Sequence, residues 1–305
     1  MSNPAYRGRF APTPSGPLHF GSLVAALASF LEARAHAGQW FVRIEDVDPP
    51  RVVPGAAEAI LRTLEAFGFE WDGEVLWQSR RQAAYQAALE SLHDAGGLYP
   101  CHCSRREIAA TGRWGVDGPV YPGHCRGRNL ALGRAGVALR MRVPDIRVEF
   151  EDAVQGRVAC HVGQECGDFV LRRADGVYTY QLAAVVDDAE QGVTHVVRGA
   201  DLLASTPRQI VLQRALGFYT PAYLHLPVVL DGQGDKLSKQ TLATPINPRA
   251  SLPALYAAMR FLGFQPPSTL ENNAEFWAWA GLAWPARRLP PLRGMRMADA
   301  AASGR

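Results

Sequence analysis

Lysine occurs twice in 305 residues, against thirty arginines, and both copies fall in one stretch, Lys236-Leu237-Ser238-Lys239-Gln240. Arginine is a planar fork, whereas lysine is a compact ammonium on a mobile stem. A chain that otherwise uses arginine and keeps lysine only here points to a site needing a mobile point charge on a phosphate; chance clustering is the alternative. A second phosphate candidate lies near the N-terminus, in Arg9-Phe10-Ala11-Pro12-Thr13-Pro14-Ser15-Gly16-Pro17-Leu18-His19-Phe20-Gly21-Ser22. The segment reads as a strand, a turn-rich loop and the start of a helix. A helix N-terminus presents unbonded N–H groups and the positive end of the dipole, which suits an anion. Gly16 and Gly21 let the backbone approach a ligand closely. His19 could donate to phosphate oxygens, or serve the structure alone.

The five cysteines suggest other chemistry. Cys101, Cys103 and Cys125 lie within 25 residues, and three thiolates supply most of a tetrahedral zinc site. Cys-x-Cys is tighter than the common zinc-finger spacing, and buried free thiols are the alternative. His102 and His124 stand beside them and are ordinary metal ligands. Cys160 and Cys166 flank a loop and are expected to be structural. His36, His93, His161, His195 and His225 belong to no motif, so polar or core roles are expected of them. An odd, clustered cysteine count fits a reducing compartment better than a disulfide framework, so the cytoplasm is expected. No apolar run has the length of a membrane helix, and Met1 to Arg7 lacks the apolar stretch of a signal peptide.

These residues need elements to position them. Tyr6 to Ala11 reads as a strand, His19 to Ala37 as a helix ended by Gly38, and Gln39 to Ile44 as a second strand running into Glu45, Asp46 and Asp48. Pro54–Phe67 and Arg80–Asp94 read as helices. Alternation of this kind predicts a parallel sheet with crossover helices. From Tyr99 to about Arg134 the chain turns rich in Gly, Cys and Arg, as expected of an inserted metal-bearing module. Strand-like runs return at Ala138–Val143, Asp168–Arg173 and Thr194–Val197, then a helix at Thr206–Leu216 and an apolar strand at Leu226–Leu230. The 65 residues after Gln240 suit a few helices and an Arg-rich tail. Formal net charge is only +3, but nine arginines face three acids between Cys101 and Arg147, and five face one acid from Ala286 onward. Each stretch is either solvated surface or a set of phosphate contacts.

Together the motifs resemble those of class I aminoacyl-tRNA synthetases. His19-Phe20-Gly21-Ser22 is similar to their HIGH signature, and Lys236 to Gln240 to their KMSKS loop, in the same order. Arg9 to Gly16, Arg43-Ile44-Glu45-Asp46, Arg198-Gly199-Ala200-Asp201 and Thr206-Pro207-Arg208-Gln209 resemble the glutamate branch. The likeness covers roughly residues 6 to 245. It implies an α/β, Rossmann-like (HUP-type) catalytic domain with a zinc-bearing insertion and a short helical C-terminal region. The expected division is 1–98 for the first half of the catalytic domain and 99–135 for the zinc-bearing part of the insertion. Residues 136–230 would complete the acceptor-binding insertion and the catalytic domain, and 231–305 would hold the lysine loop and the helical C-terminal region.

The implied reaction is ATP-dependent activation of L-glutamate. His19 and Lys239 would act on the phosphates as catalytic residues, with Gly21, Ser22 and Lys236 also at the ATP. Arg9 and Arg198 would pair with carboxylate, Glu45 with the ammonium, Thr13 would add a polar contact and Tyr180 would line the pocket. Without the resemblance, Arg9 and Arg198 read as surface residues and Glu45 as a strand-end acid in a salt bridge. The likeness offers Tyr121 as fourth ligand beside Cys101, Cys103 and Cys125, for one structural Zn²⁺ per chain, and Mg²⁺ with ATP. The family often has Glu where Ala200 stands and Asn where Ala184 stands, and Ser22 replaces the final histidine of HIGH. The short run after the lysine loop leaves no room for an anticodon-reading domain. The expected acceptor is therefore position 34 itself, the queuosine of the tRNA(Asp) anticodon region, with the 3′ end of tRNA(Glu) as the alternative. A non-catalytic, zinc-containing RNA-binding paralogue is a further alternative. A monomer without membrane association is expected.

Overall fold

The computed structural model describes residues 5–110, 113–115, 118–128, 136–236, 245–286 and 289–296. Two parallel sheet halves meet at its centre. In the first, β1 (Arg7–Phe10) pairs with β2 (Gln39–Ile44) in register Arg9↔Phe41, and β2 pairs with β3 (Leu76–Trp77). In the second, β11 (His195–Gly199) pairs in parallel with β12 (Ala222–Leu226), and β12 with β8 (Arg147–Asp152), which carries antiparallel β9 (Gly156–His161). Thr194 joins the halves: its N–H donates to the Arg7 carbonyl at 2.9 Å, and its Oγ1 accepts the Arg7 N–H at 2.8 Å. Chain direction thus leaves β1 toward β2 on one side and toward β11 on the other. The carboxyl ends of β1 and β11 flank a topological switch point, where open α/β sheets bind ligands.

The helix α1 (Phe20–Ala35) follows β1 and is apolar nearly all round, with Leu23, Leu27 and Leu31 fully or almost fully buried. Such a helix must be covered on both sides. The sheet covers one side, and the C-terminal helices α8 (Ser251–Phe261) and α9 (Asn273–Ala283) cover the other. Trp284 seals this packing by donating its indole N–H to Glu32 Oε2 at 2.7 Å. Burying each of those leucines stabilises the fold by about 1.5–3 kcal/mol. The helix α2 (Ala56–Phe67) ends at Gly68, whose φ of +82° only glycine adopts readily, and a Cβ there would stand 2.7 Å from Trp277 Nε1.

A second core joins α3 (Gln82–Asp94), the short α5 (Val162–Glu165), α6 (Tyr180–Glu190), α7 (Thr206–Leu216) and the strands β8, β11 and β12 to a small antiparallel sheet, β10-β7-β4 (Val170–Arg172, Ala138–Met141, Leu98–Cys101). The cysteine-bearing module hangs from β4. It contains α4 (Arg105–Ala109), begun by a reciprocal capping box between Ser104 and Glu107, and the hairpin of β5 (Trp114–Gly115) and β6 (Gly118–Pro119). Among the described residues, no helix is long and apolar enough to cross a membrane.

The apolar run Leu226–Leu230 is not one strand. Pro227 has no N–H to give a ladder, so β12 stops at Leu226 and β13 (Val228–Leu230) starts a new pairing. Its partner is β14 (Gly294–Arg296), in parallel register Val228↔Gly294, so the C-terminal region supplies a strand as well as helices. The hairpin β8–β9 was not among the expected strands, and it supplies Asp152 to the interior.

Candidate active site

A cavity of about 820 Å³ opens at the carboxyl ends of β1, β11 and β12. Arg9, Thr13, His19, Gly21, Ser22, Glu45, Tyr180, Arg198 and Lys236 all line it, so the structure gathers these expected residues around one space. Lys239 lies outside the described residues. The segments flanking it are tied to the cavity: Lys236 bridges back to Leu230, and Pro245 forms an antiparallel bridge with His19.

At the helix start, His19 is the N-cap of α1, with extended backbone at φ −110° and ψ 170°. Its Nδ1 accepts the N–H of Ser22 at 3.2 Å, and Nε2 lies 3.1 Å from Ser22 Oγ. Cap and dipole together make this corner receptive to phosphate. Lys236 Nζ meets Asp201 Oδ2 at 2.5 Å, and both residues face the cavity.

Deeper in, several charged side chains are buried together. Arg9, 4 % exposed, reaches Asp188 with Nε 3.0 Å from Oδ1 and Nη2 3.5 Å from Oδ2. Fully buried Arg43 meets the same carboxylate at 2.7 Å and lies 3.5 Å from Glu45 Oε1. Burial would raise the pKa of Asp188, but the charges of Arg9 and Arg43 outweigh it and hold the carboxyl below its ordinary range. At Glu45 burial wins: its pKa is raised even though Arg43 and Arg9 oppose the shift. An ammonium placed beside Glu45 would restore its charged form.

Across the cavity, Arg198 donates from Nε to His225 Nε2 at 3.0 Å, from Nη1 to the Tyr180 hydroxyl at 3.0 Å and from Nη2 to Thr206 Oγ1 at 2.9 Å. His225 Nδ1 in turn lies 2.6 Å from Asp152 Oδ2. The residues that hold Arg9 and Arg198, namely Asp188, Asp152 and His225, are not themselves evident from the motifs. Buried acids within the apolar helix Tyr180–Glu190, and a histidine within the apolar strand Ala222–Leu226, were the available signals, because such groups stay inside only when partnered.

The sulfur cluster forms a separate centre. Cys101, Cys103 and Cys125 place their Sγ atoms within 4.8 Å of one another and could hold a metal ion. The Tyr121 hydroxyl sits among them, 3.4 Å from Cys101 Sγ and 3.6 Å from Cys103 Sγ, and Cys103 and Cys125 are 3.6 Å apart. A tetrahedral zinc with ordinary bonds to sulfur and oxygen has donor–donor edges of about 3.5–3.8 Å, which these three separations approach, and three sulfurs with a phenolic oxygen are a donor set that suits that ion. His102 and His124 are exposed and stand outside the cluster. Cys160 and Cys166 lie 3.7 Å apart elsewhere, and none of the five cysteines forms a disulfide.

Comparison with known proteins agrees with this geometry. The family model described as "tRNA synthetases class I (E and Q), catalytic domain" matches residues 5–251. Curated relatives named glutamyl-Q tRNA(Asp) synthetase include one from Chromobacterium violaceum, 56% identical over 95% of this chain and 97% of its own length. Another, from Dechloromonas aromatica, is 57% identical over 94% of this chain and 97% of its own. Among solved structures, a glutamate tRNA ligase from Elizabethkingia meningosepticum in complex with its amino acid superposes with a TM-score of 0.73 at 25% identity, over 97% of this chain and 68% of that one. The chain therefore belongs to the class I tRNA synthetases of the E and Q type.

Proposed function

We propose that this chain activates L-glutamate with ATP to glutamyl-adenylate and transfers the glutamyl group to the queuosine base at position 34 of tRNA(Asp). The observation that carries this reading is the likeness, over nearly the full length of both chains, to relatives named glutamyl-Q tRNA(Asp) synthetase. The cavity supports it, since two buried arginines, Arg9 and Arg198, and a carboxylate with a raised pKa suit an acidic amino acid.

In the first step an oxygen of the α-carboxylate attacks the α-phosphorus of ATP. The bond to the bridging oxygen breaks, and pyrophosphate leaves with the electron pair. The protein's part is positioning and charge neutralisation. His19, Gly21 and Ser22 hold phosphate at the start of α1, and Lys239, with Lys236 beside it, neutralises the leaving phosphates. Glu45 takes the ammonium, Arg9 and Arg198 take carboxylate, Thr13 adds a polar contact and Tyr180 forms the wall. Arginine–carboxylate pairing disfavours the neutral amide of glutamine. A hydroxyl of the queuosine cyclopentenediol then attacks the activated carbonyl carbon, and AMP leaves.

Cys101, Cys103, Cys125 and Tyr121 would hold one structural Zn²⁺, and with it bound these residues would tie the end of β4 to the loop after β6. Mg²⁺ would enter with ATP as its counter-ion. The chain works as a monomer in the cytoplasm, where its thiols stay reduced.

The test is charging with labelled glutamate, using tRNA(Asp) with and without queuosine and with its terminal adenosine removed. Label that requires queuosine and survives loss of the terminal adenosine is expected. Labelling of tRNA(Glu) alone would replace this reading with ordinary glutamyl-tRNA synthesis. No adenylate at all would leave a non-catalytic RNA-binding paralogue.

A further inference from the structure

We propose that Asp152 and His225 are positioning residues that fix the donor pattern of Arg198 and thereby set glutamate affinity. The inference rests on the reading above, in which Arg198 binds carboxylate.

A guanidinium has five N–H donors and no acceptor, and it keeps its proton. Its Nε–H can only be received by a lone pair, so His225 must present an unprotonated Nε2, 3.0 Å away. The imidazole proton must then sit on Nδ1. Asp152 Oδ2 receives it at 2.6 Å, which selects that tautomer. Asp152 cannot turn away. Its Oδ1 accepts the N–H groups of Val154 at 3.0 Å and Gln155 at 2.8 Å, and its carboxylate also accepts the N–H of His225 at 3.1 Å. Both side chains are fully buried. Burial, with the Arg198 charge, keeps the pKa of His225 below its ordinary value despite Asp152, consistent with a neutral ring.

Neither Asp152 nor His225 lines the cavity, so their effect on a ligand must pass through Arg198. With Nε held by His225, and Nη2 by Thr206 and the Leu202 carbonyl, the guanidinium cannot rotate in its plane. Nη1, already bonded to the Tyr180 hydroxyl, is the edge left toward the cavity. The two positioning residues come from distant parts of the chain, at the end of β8 and in β12. Gln155 adds a third segment, since its Nε2 donates to the carbonyls of His225 and Leu292, each at 3.0 Å. The β8–β9 hairpin, the central sheet and the C-terminal region thus meet around His225, which holds the guanidinium.

The experiment compares Asp152→Asn, His225→Leu, His225→Gln and Arg198→Ala by glutamate KM and kcat in pyrophosphate exchange, with urea unfolding as a control. Asn at 152 can donate to Nδ1, which drives the proton to Nε2 and sets two donors against each other. Asp152→Asn and His225→Leu are each expected to raise KM about 10–100-fold, the range of one charge-assisted hydrogen bond, with kcat within about threefold. His225→Gln keeps an acceptor for Arg198 and a donor for Asp152, and should recover most of the affinity. Arg198→Ala with an unchanged KM would sink the assignment of Arg198 itself. A raised KM in Arg198→Ala, beside folded Asp152→Asn and His225→Gln proteins that both match the parent, or beside a glutamine variant no better than leucine, would overturn the positioning role alone. Should Asp152→Asn fail to fold, the leucine–glutamine pair at 225 decides the question.

Discussion

Arg9 reaches 179 residues along the chain to Asp188, with Nε 3.0 Å from Oδ1 in the protein interior. Arg43 takes the same carboxylate oxygen from the neighbouring strand, so one acid of α6 holds two arginines of the sheet. Removing a partner from such a buried cluster leaves charge uncompensated. Asp188→Ala is expected to lower unfolding stability by about 3–5 kcal/mol, read from urea denaturation. An unchanged midpoint would show that water already screens the cluster.

Glu45 gives a prediction in pH. Its folded pKa lies above its unfolded value because burial disfavours the charge. The native state therefore holds the proton more tightly. The stability this contributes is fully present below the ordinary glutamate value and is lost as pH rises through the folded value. Glutamate binding should follow the opposite trend, since only the carboxylate form pairs with an ammonium. We expect Glu45→Gln to remove the loss of stability over that window and to raise KM for glutamate at neutral pH by at least about tenfold, one lost charge-assisted contact. Equal KM values for the two proteins would end the assignment of Glu45 to the ammonium.

Lys239 is tested through the first half-reaction. Lys239→Ala should slow adenylate formation by ~10²–10³-fold, about 3–4 kcal/mol of transition-state stabilisation. Lys236 already has Asp201 as a partner, so Lys236→Ala should cost less. Pyrophosphate exchange measured with tRNA present checks both, and a parent-like rate for the residue-239 variant would remove it from the mechanism.

The sulfur cluster predicts a metal content. Atomic emission should find about one zinc per chain, the count expected of a single four-donor site. Cys125→Ser should lose the metal and lower the thermal midpoint, because zinc binding to such a module is part of its folding free energy. Purified protein with no zinc, yet a parent-like midpoint, would make the cluster three buried thiols.

Much of the fold was legible because its signals are local. The run Gln39–Ile44 and the helix Thr206–Leu216 have the same ends as read from periodicity. The proline-rich loop before α1, with Pro12, Pro14 and Pro17 around Gly16, carries its turn chemistry in neighbouring residues. The motif residues of the candidate site were legible too, since each stands in a short recognisable string. Other features were not. The run Leu226–Leu230 hid a break at Pro227, because the residues on both sides of it are apolar, and β14 at three residues is too short for an alternating pattern to stand out.

Sequence alone determined the residue types and the periodicities: two lysines placed together, three cysteines in one module, a parallel α/β alternation and an all-round apolar α1. Those follow from bonding and burial within a few residues of one another. Only the tertiary structure decided which charges meet. Asp188 finds Arg9 and Arg43, His225 finds Asp152 and Arg198, and Tyr121 rather than a histidine sits among the sulfurs. An ion pair is set by distance in space, and no local spacing encodes which strand end will come to lie beside which helix.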